Sequence, residues 1–131
     1  MAIVRKWLIL MFALASWASP SLAQQRWAAV DPNSDASSPV VWANSEAEAR
    51  QRAMEACARL SQTCANGPAA TGDMGDVFAF VCCTTPRAGC AVSAAASRRQ
   101  ALRNVMKMFD EAGYSQCALR HYMSAASGKR Q

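Results

Sequence analysis

The six cysteines constrain this chain more than any other feature. None occurs before residue 57, and the six positions are Cys57, Cys64, Cys82, Cys83, Cys90 and Cys117. Six cysteines in an exported chain are most simply three disulfides. Their separations do not give the paired CxxC ligands of a zinc site, so we expect neither a metal nor another cofactor. The pairing can be made in many ways, and the separations alone do not choose among them.

The first 23 residues have the three regions of a secretory signal peptide. Arg5 and Lys6 form the positive region, an apolar stretch follows over 7–18, and residues 21–23 are a small-x-small cleavage signal. The apolar stretch is too short for a transmembrane helix, which needs about 20 residues. We therefore expect cleavage near Ala23 and a protein that is periplasmic or secreted, with no membrane span or lipid anchor.

The mature chain is predicted to be one disulfide-bonded domain over 24–123, followed by a small polar, flexible tail over 124–131. The formal net charge is +5 for the whole sequence, and Arg5 and Lys6 lie in the predicted leader. The remaining positive charge is too small to indicate nucleic-acid binding. It suits an acidic protein partner or an envelope surface.

Two capping patterns predict two helices. Ser45 stands three residues before Glu48, and Ser97 stands three residues before Gln100, so each serine is placed at a helix N-cap. The first helix should reach about residue 60, with an inward stripe formed by Ala49, Ala53, Met54, Cys57 and Leu60. The second helix carries apolar residues at helical spacing, which are Leu102, Val105, Met106 and Phe109. Gly113 is suited to end this helix in a left-handed conformation.

Apolar and alternating runs predict strands over 26–30, 40–42, 77–82, 90–94 and 117–123. The first two strands should form a hairpin, 63–76 should be mostly loop, and 77–82 is the best candidate for a central strand. Alternation in the last run places Cys117, Leu119, His121 and Met123 on one face. The expected fold class is α+β, with two amphipathic helices packed on an antiparallel sheet.

The two halves of the mature chain also resemble each other. Placing Ser45 on Ser97 superimposes Ala49 on Ala101, and each helix then leads to a cysteine, Cys64 or Cys117. This similarity predicts a duplicated unit of hairpin, capped helix and cysteine-bearing segment.

Several of these residues recur in a known pattern. They are Trp-Ala-Ala-Val at 27–30, the serine, alanines and cysteine of the first helix, Cys64, and an aromatic strand ending in cysteine. In these features the whole mature chain resembles the DUF4189 family, small exported bacterial domains of unknown function. It departs from the family at 31–39, where a Gly-rich segment is usual, and at Phe109, where a cysteine is usual. The resemblance implies the location and the fold, but no functional residue.

The adjacent pair Cys82 and Cys83 is the first candidate for chemistry. Neighbouring strand residues face opposite sides, so the two should bond to different partners. Cys90 and Cys117 are natural candidates, which leaves Cys57 with Cys64. Alternatively, the vicinal pair is a thiol-redox switch.

A second alternative is copper binding. His121 and Met123 form an H-x-M motif, and Met106 and Met108 lie on the preceding helix; imidazole and thioether ligands suit Cu(I). His121 is the only histidine, and no residue pattern places a nucleophile beside a base. We therefore expect no catalytic residues and no enzymatic activity.

The second helix carries the candidate partner-binding residues Arg98, Arg99, Arg103 and Lys107. The last three recur every four residues and share one side, while Arg98 and Arg99 occupy the first turn, where the helix dipole disfavours cations. Charge placed against local stability is typical of a binding surface. These features favour an exported, non-catalytic binding protein of the bacterial envelope, with a periplasmic inhibitor or immunity protein against a toxin or hydrolase as the specific hypothesis.

Overall fold

A computed structural model of the chain describes residues 26–35 and 37–131, so the predicted signal peptide lies outside the described residues. In chain order the elements are β1 (Trp27–Val30), β2 (Val41–Ala43), α1 (Glu46–Leu60), β3 (Ala69–Thr71), β4 (Val77–Thr85), β5 (Gly89–Ala95), α2 (Arg98–Glu111) and β6 (Ser115–Ser124). The predicted α+β class, both helices and the first hairpin are confirmed.

The strands form two antiparallel three-stranded sheets, in the orders β2-β1-β3 and β5-β4-β6. Ala28 and Val30 of β1 pack against the second sheet, whereas Ala29 packs under α1. The far side of the second sheet is covered by α2. The molecule is therefore a stack of four layers, helix, sheet, sheet and helix, where the sequence had suggested a single sheet.

Strand β4 lies at the centre of the second sheet and is buried on both faces. Phe78 and Phe80 face the first sheet, whereas Ala79, Val81 and Cys83 face α2. Because neither face meets water, the strand reads as a continuous apolar run instead of an alternating one. This placement confirms 77–82 as the central strand.

Both helices begin at the predicted serines. The Ser45 hydroxyl accepts a hydrogen bond from the backbone N–H of Glu48 at 3.2 Å, and the Ser97 hydroxyl accepts one from the N–H of Gln100 at 3.1 Å. These bonds satisfy N–H groups that have no partner within the helix. The predicted inward stripe of α1 needs one correction: Leu60 is 61% exposed, because it is the last residue of the helix and joins none of the hydrophobic clusters that the described residues form.

Gly113 ends α2 as expected, with a φ of +80°. The N–H of Tyr114 donates to the carbonyl of Phe109 at 2.9 Å, and the N–H of Gly113 donates to that of Asp110 at 3.1 Å. The Phe109 and Tyr114 rings pack edge to face, 5.3 Å apart. This is a Schellman motif with its hydrophobic contact, and it directs the chain into β6.

The predicted alternation in β6 is wrong because the strand contains a bulge. Val81 pairs with Leu119 and Phe80 pairs with His121, so Arg120 is an extra residue with no partner in β4. Leu119 and Cys117 consequently lie on the α2 side, whereas His121 and Met123 lie between the two sheets. The four residues do not share one face.

Strand β3 lies within the segment expected to be loop. It forms by pairing with the far edge of β1, for example Ala70 with Ala29. Each half of the chain then runs strand, strand, helix, strand, with its first strand in the centre. The cysteines are not equivalent, however, because Cys64 precedes β3 in an isolated bridge while Cys117 lies within β6. The duplicated unit therefore stays a prediction.

The tail over 124–131, predicted to be flexible, instead folds back onto the domain. Ala125 is fully buried, and its carbonyl accepts a hydrogen bond from the indole N–H of Trp42 at 2.8 Å. The N–H of Gln131 donates to the carbonyl of Tyr122 at 3.0 Å. Gly128 lies against the Trp42 ring with a φ of +70°, where an added Cβ would stand 3.0 Å from a ring carbon. Contacts from a distant part of the chain hold this segment, which its own composition does not reveal.

Candidate functional site

All six cysteines form disulfides, and their pairs are Cys57–Cys64, Cys82–Cys90 and Cys83–Cys117. The neighbouring cysteines of β4 thus bond to opposite strands, as the strand geometry predicts. They cross-link the central strand to β5 on one side and to β6 on the other. The bridges fit a protein that folds in an oxidising compartment. The pair is therefore not a dithiol in this state but part of the covalent frame.

The outer face of α2 presents three of the four predicted binding residues. Arg99, Arg103 and Lys107 are exposed and follow one another along the helix at four-residue spacing. The buried residues Ala101 and Val105 lie on the opposite side of the helix. We call Arg99, Arg103 and Lys107 the cationic face.

Arg98 lies apart from the cationic face and contacts the end of the chain. Its guanidinium stands 5.5 Å from the centre of the Tyr122 ring, and its Nε donates to Oε1 of Gln131 at 3.2 Å. A cation over an aromatic face is attracted by the ring quadrupole. Arg98 therefore helps to hold the tail, a contact that sequence reasoning did not anticipate.

The two helices differ in how their cations are neutralised. On α1, Arg50 pairs with Glu46 at 2.9 Å and Arg52 pairs with Glu48 at 2.6 Å. On α2 the exposed pair of Lys107 with Glu111 is longer, at 3.8 Å. Within the described part of the chain, Arg99 and Arg103 form no ion pair, and the first turn of α2 contains no acid. The two arginines of the cationic face therefore keep their positive charge.

The second sheet separates Met106 from two other predicted copper ligands, His121 and Met123. Met123 is 2% exposed and lies between the sheets, whereas Met106 packs under α2 on the other face. The His121 ring stacks on Phe80 with centroids 5.0 Å apart. Burial lowers the pKa of His121, and the charges of Arg130 and Arg120 lower it further. The structure therefore brings His121 and Met123 near each other but leaves Met106 on the opposite side.

One cavity lined by described residues is a groove that sequence reasoning missed. It has a volume of about 570 Å³ and opens between the segment after α1, the start of β5 and the end of α2. Its lining includes Thr63, Cys64, Cys90, Met108, Phe109 and Tyr114. Because these residues come from three separate parts of the chain, no local motif could have revealed it. Two disulfides reach its wall, through Cys64 and Cys90.

Asp31 is fully buried, close to Cys64 of the groove wall. One of its carboxyl oxygens and the sulfurs of Cys57 and Cys64 all lie within 4.8 Å of one another. Burial raises the pKa of Asp31, and the backbone N–H groups of Asn66 and Gly67 offset part of the rise. These two N–H groups act on the carboxyl without reaching hydrogen-bond geometry, and neither oxygen has a hydrogen-bond partner among the described residues. The segment around Asp31 reads as a turn from its composition, and its burial was not expected.

Comparison of the chain with protein-family models, with curated proteins and with solved structures finds no match in any of the three. The resemblance to the DUF4189 family therefore stays a prediction. No helix in the described residues has the length and apolar character needed to cross a membrane.

Proposed function

We propose that this chain is an exported, non-catalytic binding protein of the bacterial envelope. Its specific role would be that of a periplasmic inhibitor or immunity protein that neutralises a toxin or an envelope hydrolase. The observation that carries the proposal is the cationic face of α2, where Arg99 and Arg103 are exposed and pair with no acid among the described residues. A complementary acidic surface on the partner would satisfy both guanidinium groups.

Electrostatics explain why such a face suits rapid recognition. Complementary charge raises the rate of association and suppresses wrong partners. Arg99 stands in the first turn of α2, where a cation costs about 0.3–1 kcal/mol of helix stability. A bound carboxylate would remove that cost, because it would neutralise the guanidinium.

The covalent frame supports the same role. Binding is tighter when the contact surface is ordered before the partner arrives, because less conformational entropy is then lost. The strands beneath α2 are cross-linked twice, through Cys82–Cys90 and Cys83–Cys117. Three disulfides also agree with export, which residues 1–23 predict.

A capture experiment with matched charge reversals tests the proposal. The disulfide-bonded mature chain is immobilised and exposed to a periplasmic extract of the bacterium that encodes it, and retained proteins are identified by mass spectrometry. The test variant is Arg99→Glu with Arg103→Glu. The control is Arg59→Glu with Arg120→Glu, which makes the same charge change at exposed arginines outside α2. We expect the wild type and the control to retain an acidic partner, and the test variant to bind it at least about tenfold more weakly.

The partner's own activity is then measured with and without the mature chain. Inhibition by the wild type, reduced in the α2 variant, is the expected result. Equal retention by both variants would contradict the assignment of the cationic face. A retained partner whose activity is unchanged would contradict the inhibitor role.

A further inference from the structure

We propose that the Cys57–Cys64 disulfide is a thiol–disulfide exchange site that oxidises a dithiol substrate, with the buried Asp31 carboxyl as its proton donor. The proposal is independent of the cationic face, because the site lies on the groove side of the molecule and uses none of the α2 arginines. It rests on the access to one sulfur, on the surroundings of the other, and on the position of Asp31.

The two sulfurs of this bridge differ in access. Cys64 is half-buried and lines the groove, whereas Cys57 is fully buried in the last turn of α1. A substrate thiolate can therefore reach Cys64 from the groove but cannot reach Cys57. Attack at Cys64 makes Cys57 the leaving sulfur.

The leaving sulfur is surrounded by groups that can accommodate new negative charge. The Ser38 hydroxyl stands 3.6 Å from Sγ of Cys57, and the side-chain N–H₂ of Asn33 stands 3.9 Å from it. Asn33 is fixed in turn, because its Oδ1 accepts a hydrogen bond from the N–H of Asp35 at 2.9 Å. Both Asn33 and Ser38 are buried, so these donors are directed at the sulfur from within the protein.

A thiolate on Cys57 would still be unfavourable without a proton. It would be buried, and it would lie at the negative end of the α1 dipole. Asp31 can supply this proton, because one of its carboxyl oxygens lies within 4.8 Å of both sulfurs. Burial raises the pKa of Asp31, which favours the protonated acid that can donate.

The exchange conserves atoms and electrons. A substrate thiolate attacks Sγ of Cys64, a new bond forms between the substrate and Cys64, and the Cys57–Cys64 bond breaks. The electron pair of the broken bond stays on Cys57, which takes the proton of Asp31. The substrate's second thiol loses its proton to water, attacks its own bonded sulfur and releases Cys64, which is protonated from water. The substrate is oxidised to a disulfide by two electrons, the Cys57–Cys64 pair is reduced to two thiols, and Asp31 regains its proton from water.

The chain contains its own control for this chemistry. Cys90 also lines the groove, so the Cys82–Cys90 bridge has an exposed route as well. Among the described residues, however, only the Cys57–Cys64 bridge forms a close cluster with an acidic side chain. A difference in reactivity between these two bridges would therefore reflect the surroundings of the sulfurs and not access alone.

The test uses dithiothreitol as the dithiol and the folded, fully oxidised mature chain without denaturant. Free thiols are alkylated at timed intervals and assigned by peptide mass mapping. We expect Cys57 and Cys64 to become labelled at least about tenfold faster than Cys82 and Cys90. Simultaneous opening of all three bridges, or earlier opening of Cys82–Cys90, would overturn the proposal.

Substitutions then test the proton donor and the direction of attack. Asp31→Asn should slow the opening of Cys57–Cys64 by roughly 100-fold, whereas Asp73→Asn, at an exposed aspartate in the loop before β4, should not change it. An unchanged rate in folded Asp31→Asn would remove Asp31 from the mechanism. A second pair of variants does not depend on that substitution: the single thiol of Cys57→Ser, at Cys64, should react with an aromatic disulfide reagent faster than the thiol of Cys64→Ser, at Cys57. The reverse order would refute the assigned direction of attack.

Discussion

Removing the Cys83–Cys117 disulfide should destabilise the protein more than removing either of the others, because it closes the longest loop. Its cysteines are 34 positions apart, whereas those of Cys82–Cys90 are 8 apart and those of Cys57–Cys64 are 7 apart. Loop-closure theory gives a stabilisation of about 3.8 kcal/mol for the long loop and about 2.5 kcal/mol for each short one. The difference of about 1.3 kcal/mol corresponds to about 6 °C in Tm for a domain of this size.

The assay compares three double-alanine variants of the mature chain, one for each bridge. Unfolding is followed by circular dichroism in urea and on heating, and free energies are compared by linear extrapolation because loss of a cross-link also changes the denatured state. We expect Cys83→Ala with Cys117→Ala to be the least stable of the three.

Burial of sulfur is the competing explanation, and the Cys57–Cys64 pair separates the two causes. Cys57 is fully buried and Cys83 is 2% exposed, yet their loops differ in length. If loop length determines the loss of stability, the Cys57–Cys64 variant should have the same unfolding free energy as the Cys82–Cys90 variant. If it matches the Cys83–Cys117 variant instead, or if all three lose the same stability, the entropic reasoning is refuted.

Three further substitutions have defined outcomes. Gly113→Ala should lower the free energy of unfolding in urea by about 1–2 kcal/mol, because φ at this position is +80°. Gly67→Ala, where nothing lies within 4 Å of an added Cβ, should leave it unchanged, and equal effects would contradict the Schellman assignment. Arg99→Glu should raise stability by about 1 kcal/mol at low salt, and by less at high salt, because an acid suits the first turn of α2; a lower Tm at low salt would contradict this. The folded-state pKa of His121 is lowered from 6.5, so its contribution to stability is present above that value and is lost as the pH falls through the lowered pKa. His121→Phe should therefore reduce the loss of unfolding free energy between pH 7.5 and pH 5, and an unchanged loss would refute the reasoning.

Local chemistry made the helices and the central strand predictable. A serine cap depends on residues three apart, and the end of α2 depends on one glycine, so both are visible in the sequence. The adjacent cysteines also had to serve opposite faces, because strand geometry leaves no other unstrained arrangement. These features share a property: the residues that determine them lie within a few positions of one another.

The features that were missed depend on distant partners. Strand β3 exists because Ala70 pairs with Ala29, and the tail is fixed because Trp42 binds the carbonyl of Ala125. The bulge at Arg120 preserves the alternating pattern of residue types while moving His121 to the other face.

The candidate sites show the same difference between features set by nearby residues and features set by distant ones. The cationic face follows from helical spacing alone and was predicted. The groove and the buried position of Asp31 required the three-dimensional arrangement of separate segments.

The two cross-links of β4 also decide what happens when the backbone is cut. A protease acting at the exposed turn 112–113 would leave two fragments joined through Cys83–Cys117, and a cut at 86–88 would leave them joined by Cys82–Cys90 as well. Either nicked molecule would run as one species on a denaturing gel until a reductant is added. Purified material should therefore be compared with and without reductant before it is judged intact, since nicked chains would otherwise be counted with whole ones.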